Sequence, residues 1–145
     1  MAKISINIAT GSLQQQEMIV GIDLGTTNSL VAVIHPDSKK PSVLKEFDGV
    51  ALVPSVIHFG EGGIVSVGDM AKTKLIEEPQ NTIFSVKRLM GKSHNDVKQY
   101  TGFYTYKVID DNTDSLVKVQ VGDKFYLPIE LSSYILKELK KRAEH

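Results

Sequence analysis

The feature that most constrains this chain is the stretch of residues 19–33, which reads IVGIDLGTTNSLVAV. Two apolar runs rich in β-branched residues flank a polar centre, and such runs predict two antiparallel strands joined by a tight loop. Gly25 can adopt a positive φ without steric cost, so we expect it to turn the amides that follow toward one point. The sequence therefore predicts a β-hairpin whose tip carries several hydrogen-bond donors.

The residues at the predicted tip indicate an anion site. Successive backbone N–H groups in such a turn form an anion-binding nest, and the hydroxyls of Thr26 and Thr27 add two more donors. Asp23 lies at the strand end, where its carboxylate would repel a phosphate unless a cation lay between them. Mg²⁺ keeps most of its waters, so one carboxylate is enough. Two interpretations stand on composition: a Mg²⁺–nucleotide site, or a polar turn that faces water.

A second candidate side chain is Lys87. We expect a helix over residues 82–90, with Asn81 as its N-cap and Gly91 just past its C-terminus. Its apolar face would be formed by Ile83, Val86 and Met90. Lys87 points in nearly the same direction, and a lysine on a buried face is costly unless it reaches water or an anion. Lys87 therefore either extends along the apolar surface to solvent or points into a nucleotide cleft.

The remaining patterns predict a mixed α and β chain. Further strands are expected at residues 43–47, 55–59, 64–67, 103–109, 116–121 and 124–127. A helix is expected over residues 70–76, capped by Asp69, and another begins at Pro128 with Glu130 at its third position. Leu131, Ile135 and Leu139 share one face of that last helix. Residues 4–8 alternate like an edge strand, and residues 11–17 are typical of a linker or a disordered tail.

Composition excludes several classes of function. Lysines plus arginines equal aspartates plus glutamates at 17 each, so charge gives no argument for nucleic acid or an anionic membrane. The aromatic residues at 100–106 are therefore better explained by packing than by stacking on bases. There is no cysteine, and the histidines show no ligand spacing, so no protein-borne metal site is expected. No apolar run approaches the ~20 residues that span a bilayer, and a cytoplasmic location is expected.

Several segments resemble one family. The order Gly-x-Asp-x-Gly-Thr-Thr-x-Ser at residues 21–29 resembles the first phosphate-binding hairpin of the actin-like ATPases, most closely that of the DnaK-type heat-shock chaperones. Residues 52–57 (LVPSVI), 67–68 (VG) and 81–91 (NTIFSVKRLMG) look like further signature stretches of those chaperones. The Ile-rich leader and the form SVKRLMG look most like the specialised chaperone of iron–sulfur-cluster assembly.

The resemblance implies a fold and a set of site residues. The fold would be an α/β actin-like (ribonuclease H-like) ATPase lobe with a mixed sheet and a small α+β subdomain. Gly25, Thr26, Thr27 and Asn28 would bind the phosphates of ATP or ADP. Asp23 would touch magnesium through water, and Lys87 would be catalytic by orienting the attacking water and stabilising the transition state.

The resemblance also implies partners and a larger protein. Members of the family work with a J-domain co-chaperone, a nucleotide-exchange factor and client polypeptides, and they run several times longer than this chain. We therefore expect the opening portion of a nucleotide-binding domain: a leader at 1–17, the first part of the lobe at 18–91, and an incomplete meander-plus-helix subdomain at 92–145. Alone, such a fragment should bind ATP weakly or not at all, lack ATPase activity, and self-associate through an exposed sheet edge.

Two other functions compete with the chaperone ATPase. A filament-forming bacterial actin has a very similar first hairpin, although Lys87 within Asn-Thr-x-Phe-x-x-Lys-Arg argues against it. A non-catalytic binding module could retain the hairpin for stability alone.

Overall fold

The computed structural model describes residues 4–7, 12–15, 19–35, 37–46, 48–110 and 115–144. Within them the strands are β1 (Ile4–Asn7), β2 (Ser12–Gln15), β3 (Val20–Asp23), β4 (Asn28–Ile34), β5 (Pro41–Val43), β6 (Val53–Pro54), β7 (Val56–Phe59), β8 (Val65–Val67), β9 (Thr82–Phe84), β10 (Lys107–Ile109), β11 (Lys118–Val121) and β12 (Lys124–Tyr126). The helices are α1 (Asp69–Glu77), α2 (His94–Val97) and α3 (Pro128–Glu144). Short 3₁₀ turns connect several of these elements.

The strands form small antiparallel sheets. β4 pairs with β3 through residues 30–33, with β5 through residues 32–34 and with β6 at its first two residues. A second sheet has the order β8-β7-β9, and a third has the order β10-β11-β12. The leader strands β1 and β2 pair with each other as a separate sheet. Every pairing between the described strands is antiparallel.

The predicted hairpin at residues 19–33 is confirmed as β3 and β4. Val20 pairs with Val33 and Asp23 pairs with Leu30, so the two apolar runs form one antiparallel ladder. One face of β4 is buried and the other is half-buried, whereas all of β3 is exposed. The hairpin therefore joins the core through β4, and β3 is an edge strand.

Helix α3 covers the core. It packs against β4, β7 and β8, and the side chains of Leu131, Ile135 and Leu139 on its inner face are at most 2% exposed. The first turn is closed by Glu130, whose carboxylate accepts the Leu127 amide at 2.7 Å. The predicted start, third position and apolar face of this helix are all confirmed.

The helix expected over residues 82–90 is wrong. Thr82–Phe84 forms β9 on the edge of β7, Ser85 adopts a left-handed conformation (φ 55°), and Val86–Leu89 is a 3₁₀ turn. Asn81 does not cap a helix but ends the preceding 3₁₀ turn. The strand forms because β7 offers backbone partners that the local sequence cannot reveal, and because β-branched residues favour pleated pairing. Gly91 does adopt the positive φ (70°) expected after a helical turn.

Other boundaries shift. The strand expected at 43–47 lies earlier, at β5, and Phe47 is outside the described residues. Asp69 is the first residue of α1 rather than its cap, because Gly68 occupies the cap position. Residue 103 belongs to a 3₁₀ turn and only Lys107–Ile109 pairs as β10. In the leader, Ser12–Gln15 is a strand where a linker was expected.

Aromatic side chains at residues 100–106 divide into two pairs. Tyr106 is 4% exposed, and its ring meets Phe84 edge to face and packs at a tilt against Tyr104, with ring centroids 5.5 and 5.1 Å away. Packing is thus confirmed for Tyr104 and Tyr106, whereas Tyr100 and Phe103 are exposed. The division of the chain at residue 91 stays a prediction. Among the described helices, none has the length and apolarity to cross a membrane.

Candidate functional site

Near the tip of the hairpin, β4 stops pairing with β3 and pairs with β6 instead. Residues 30–33 of β4 pair with β3, whereas Asn28 and Ser29 pair with Pro54 and Val53 of β6. Residues 24–27 therefore leave the end of β3 and return beside β6. This arrangement holds the turn against a different strand from the one that leads into it, which defines its shape.

A glycine is required at position 25 because there is no space for a side chain, and not because the backbone adopts a positive φ. Its φ is not among the positive values of the described glycines, so the turn does not use the left-handed conformation that glycine permits. A Cβ at this position would collide with the carbonyl oxygen of Asn28 and lie 3.1 Å from its carbonyl carbon. The turn thus closes on itself so tightly that only a residue without a side chain fits.

Both polar groups of the Gly25 backbone are bonded to serines. The Gly25 amide donates to Ser29 Oγ at 3.2 Å, and Ser55 Oγ donates to the Gly25 carbonyl at 2.9 Å. The two serine hydroxyls lie 2.8 Å apart, and the Ser55 amide donates to the Thr27 carbonyl at 2.8 Å. The turn is therefore held from behind by a buried polar cluster.

The amides of Thr26 and Thr27, which follow Gly25, differ from the Gly25 amide in their hydrogen bonding. Within the described part of the chain, the backbone N–H groups of Thr26 and Thr27 have no hydrogen-bond acceptor. Thr26 is half-buried, and Thr27 and Asn28 are exposed. Unpaired amides and hydroxyls at an accessible turn form a donor set suited to an anion.

Asp23 ends β3 on the approach to the turn. It is exposed and forms no ion pair with any described residue. A lone, accessible carboxylate beside an anion site fits a magnesium ion that is held through its own water shell. Clusters of three or more carboxylates or histidines able to hold a metal are absent from the described residues.

Lys87 lies in the 3₁₀ turn that follows β9. The buried side chains of Val86 and Leu89 anchor this turn to the core, and Lys87 and Arg88 between them are exposed. Lys87 forms no ion pair with a described residue. The expectation that it lies on the buried face of an α-helix is wrong, because the 3₁₀ turn directs it to solvent.

The topology relates Lys87 to the hairpin tip. β9 runs antiparallel to β7, with Phe84 opposite Val56, so the chain leaves β9 at the Ser55 end of β7. Ser55 is the residue that bonds the turn at Gly25 and Thr27. The segment that carries Lys87 and the donor-rich turn are thus both tied to the same end of one strand.

Sequence reasoning missed Ser29 and Ser55. A signal for Ser29 was present, because it shares the alternation of Val31 and Val33 and so falls on the buried face of β4. A polar side chain at a buried position needs a partner. The partner, Ser55, lies 26 residues away, and no local pattern connects the two.

Comparison with known proteins adds one finding. The family model described as Hsp70 protein matches residues 19–145 of this chain. The matched segment begins one residue before β3 and includes the turn, Ser55 and Lys87.

Proposed function

The chain belongs to the Hsp70 family, and from this premise we propose that residues 19–145 supply the first phosphate-binding loop and the water-orienting lysine of a chaperone nucleotide-binding domain. Proteins of this family are ATPases whose ATPase domain is actin-like, so the expected fold class, an α/β actin-like lobe, is confirmed. The family generally works with J-domain proteins, exchange factors and client polypeptides. We propose the same classes of partner here.

The observation that carries the proposal is the pair of unpaired amides at Thr26 and Thr27. Gly25 allows the tight turn, and its own amide is consumed by Ser29. The two following amides and the two threonine hydroxyls are left to donate to phosphate oxygens, and Asn28 at the start of β4 adds a side-chain amide. Asp23 would hold magnesium through water, and the bound ion would neutralise charge on the phosphates.

Lys87 is proposed as the group that acts on the reacting phosphate. Its ammonium would donate to the attacking water and stabilise the negative charge that develops at the γ-phosphoryl group. The 3₁₀ turn supports this role because it fixes the backbone on both sides of Lys87 while leaving the side chain unpaired among the described residues. One preorganised donor of this kind contributes about 3 to 4 kcal/mol to transition-state stabilisation.

The test is ATP hydrolysis in a chimera in which residues 19–145 replace the matching segment of another Hsp70 protein. Lys87→Ala should lower kcat by about 10²- to 10³-fold and leave nucleotide affinity nearly unchanged. Lys92→Ala is the matched control, because Lys92 is exposed, lies five residues later and makes no described ion pair. Equal rates for the two variants would overturn the proposed role of Lys87.

The chaperone subclass is a finer proposal. We propose that the parent protein serves iron–sulfur-cluster assembly, on the basis of the SVKRLMG form at residues 85–91 and the Ile-rich leader. Deleting its gene should lower the activity of iron–sulfur enzymes at ordinary growth temperature. Normal iron–sulfur enzyme activity combined with heat-sensitive growth would instead indicate a general chaperone.

A further inference from the structure

Ser29 and Ser55 are buried polar side chains that the proposed site does not use directly. Their exposures are 1% and 3%, so neither hydroxyl can reach solvent or a nucleotide. Both nevertheless lie against the turn that presents the phosphate donors. Their hydrogen bonds define what they can do.

The number of protons on the two hydroxyls allows only one set of donor and acceptor roles. Each serine hydroxyl has one proton to donate. Ser55 donates its proton to the Gly25 carbonyl at 2.9 Å, so the proton between the two serine oxygens, 2.8 Å apart, must come from Ser29. Ser29 in turn accepts the Gly25 amide at 3.2 Å. The bonds close into a ring that runs from the Gly25 N–H through Ser29 and Ser55 back to the Gly25 carbonyl.

The ring fixes the orientation of the peptide groups on both sides of Gly25. Rotation of the first peptide would leave the Gly25 amide without its acceptor, and rotation of the second would leave the buried Ser55 hydroxyl without its acceptor. The Ser55 amide adds a bond to the Thr27 carbonyl at 2.8 Å, which fixes the far side of the same turn. The N–H and C=O of a trans peptide point in opposite directions, so the bonded Gly25 carbonyl directs the Thr26 amide away from Ser55. The Thr27 amide lies between this fixed peptide and the fixed Thr27 carbonyl.

Ser55 also connects the turn to the Lys87 segment. It stands between β6, which pairs with the start of β4, and β7, whose first residue Val56 pairs with Phe84 of β9. A displacement of Ser55 would therefore move the turn relative to the strand that leads to Lys87.

We infer that Ser29 and Ser55 are positioning residues of the phosphate site, which act through the Gly25 peptides and never touch the ligand. The inference rests on the proposed nucleotide function. A purely structural role would stabilise the fold without altering the geometry of the Thr26 and Thr27 amides, so the test must measure those amides.

The experiment uses the chimera in which residues 19–145 replace the matching segment of another Hsp70 protein, with ¹⁵N labelling, amide hydrogen exchange, and titration with Mg-ATP followed by NMR. In Ser55→Ala the Gly25 amide should exchange about tenfold faster or more, because the ring is open. The shifts that Mg-ATP causes at the amides of Thr26 and Thr27 should require about tenfold more nucleotide. Ser55→Thr, which keeps the hydroxyl, should restore both.

Ser132→Ala is the matched control. Ser132 is also 3% exposed, but its hydroxyl donates to the Pro128 carbonyl within α3, away from the turn. It should lower stability without changing Gly25 exchange or the nucleotide response at the turn. Ser29→Ala breaks the same ring from the other side, and it carries the test if Ser55→Ala does not fold.

The outcomes separate the two proposals. Unchanged Gly25 exchange in both serine variants, or a nucleotide response at the turn that matches the parent, would overturn the positioning role. Faster Gly25 exchange in a chimera whose turn amides do not respond to Mg-ATP even before substitution would overturn the nucleotide site itself, and the positioning role with it.

Discussion

At the scale of single residues, the shape of the site depends on a glycine that has no side chain and whose backbone groups are both hydrogen-bonded. Gly25 contributes by having no side chain, and its amide and carbonyl are both bonded to serines. The donors left over belong to Thr26 and Thr27. The donors that this turn can offer to a ligand are therefore the backbone groups that form no hydrogen bond within the fold.

Gly25→Ala should destabilise the protein by about 1 to 3 kcal/mol, because the added methyl meets the Asn28 carbonyl oxygen. Gly102→Ala is the control, since a Cβ there meets no atom within 4 Å and its φ is not in the left-handed range. It should change stability by less than about 0.5 kcal/mol. Urea unfolding measures both, and equal midpoints would contradict the tight turn.

Tyr106 predicts a loss of stability in alkali. Burial raises the pKa of its hydroxyl well above the ordinary value of about 10, and Tyr104 adds a smaller effect. Because the pKa is higher in the folded state, the contribution of the protonated Tyr106 hydroxyl to folding stability is complete below pH 10. Above that pH the unfolded chain loses the proton first, so stability falls by about 1.4 kcal/mol per pH unit.

Tyr106→Phe tests this directly. The variant loses the bond to the Phe84 carbonyl, at 2.6 Å, and should cost about 1 kcal/mol or more at neutral pH. Its stability should then decline less steeply than the parent's between pH 10 and 12, as measured by urea unfolding at each pH. Tyr100→Phe, at an exposed position, should keep the parent's slope. Parallel slopes for all three proteins would contradict the burial argument.

At the scale of elements, the segment from Thr82 to Leu89 is the clearest departure from sequence expectation. Its apolar residues are spaced as in a helix, yet Ile83 and Val86 are buried on two different elements, a strand and a 3₁₀ turn. Left-handed Ser85 marks the junction between them. Exposure of Lys87 follows from that junction, because the 3₁₀ turn faces it outward.

Thr82→Val tests the strand. In β9 the Thr82 side chain is fully buried, donates to the Glu78 carbonyl at 2.7 Å and lies 3.0 Å from His58 Nδ1. Losing the hydroxyl should cost about 1 to 3 kcal/mol, because the buried His58 Nδ1 loses its partner and the Glu78 carbonyl keeps only the Asn81 amide. At the exposed first turn of a helix the same change would cost little.

Thr73→Val is the control for that measurement. Its hydroxyl donates to the Met70 carbonyl on the exposed side of α1, so the change should stay within about 0.5 kcal/mol. Thermal unfolding of the two variants gives the comparison. A Thr82→Val variant as stable as Thr73→Val would argue for the helix after all.

At the scale of the whole molecule, one core connects the hairpin with the C-terminal helix. The buried cluster includes Val31 of β4, Ile83 of β9, Val119 of β11 and Ile135 of α3. Positions of the turn and of the Lys87 segment are therefore both set by packing that extends across residue 91. The exposed face of β3 lies outside this core.

Ile135→Ala should lower stability by about 2 to 5 kcal/mol through the cavity that it leaves. Because the core is shared, amides of β4 and β11 should lose exchange protection together. Leu136→Ala, at the neighbouring 37%-exposed position, should have a small effect. Selective loss of protection in residues 92–144, with β4 unaffected, would instead favour the independent subdomain that the sequence predicts.

The sequence by itself determined the hairpin, the meander of β10 to β12 and the inner face of α3. In each, alternation or helical spacing matches the structure over contiguous residues, and turn residues mark most of the boundaries. It also indicated the candidate donors at Thr26 and Thr27, since these belong to the turn itself.

Only the tertiary structure decided that residues 82–84 are a strand and that Ser29 and Ser55 close a ring around Gly25. Both depend on partners about 25 residues away along the chain: β7 for the strand, and Ser55 for Ser29. Apolar spacing records which side chains are buried, but it does not record which distant backbone or hydroxyl satisfies a given polar group. The site is therefore shaped by hydrogen bonds between segments that are remote in sequence, and sequence periodicity does not reveal which segments those are.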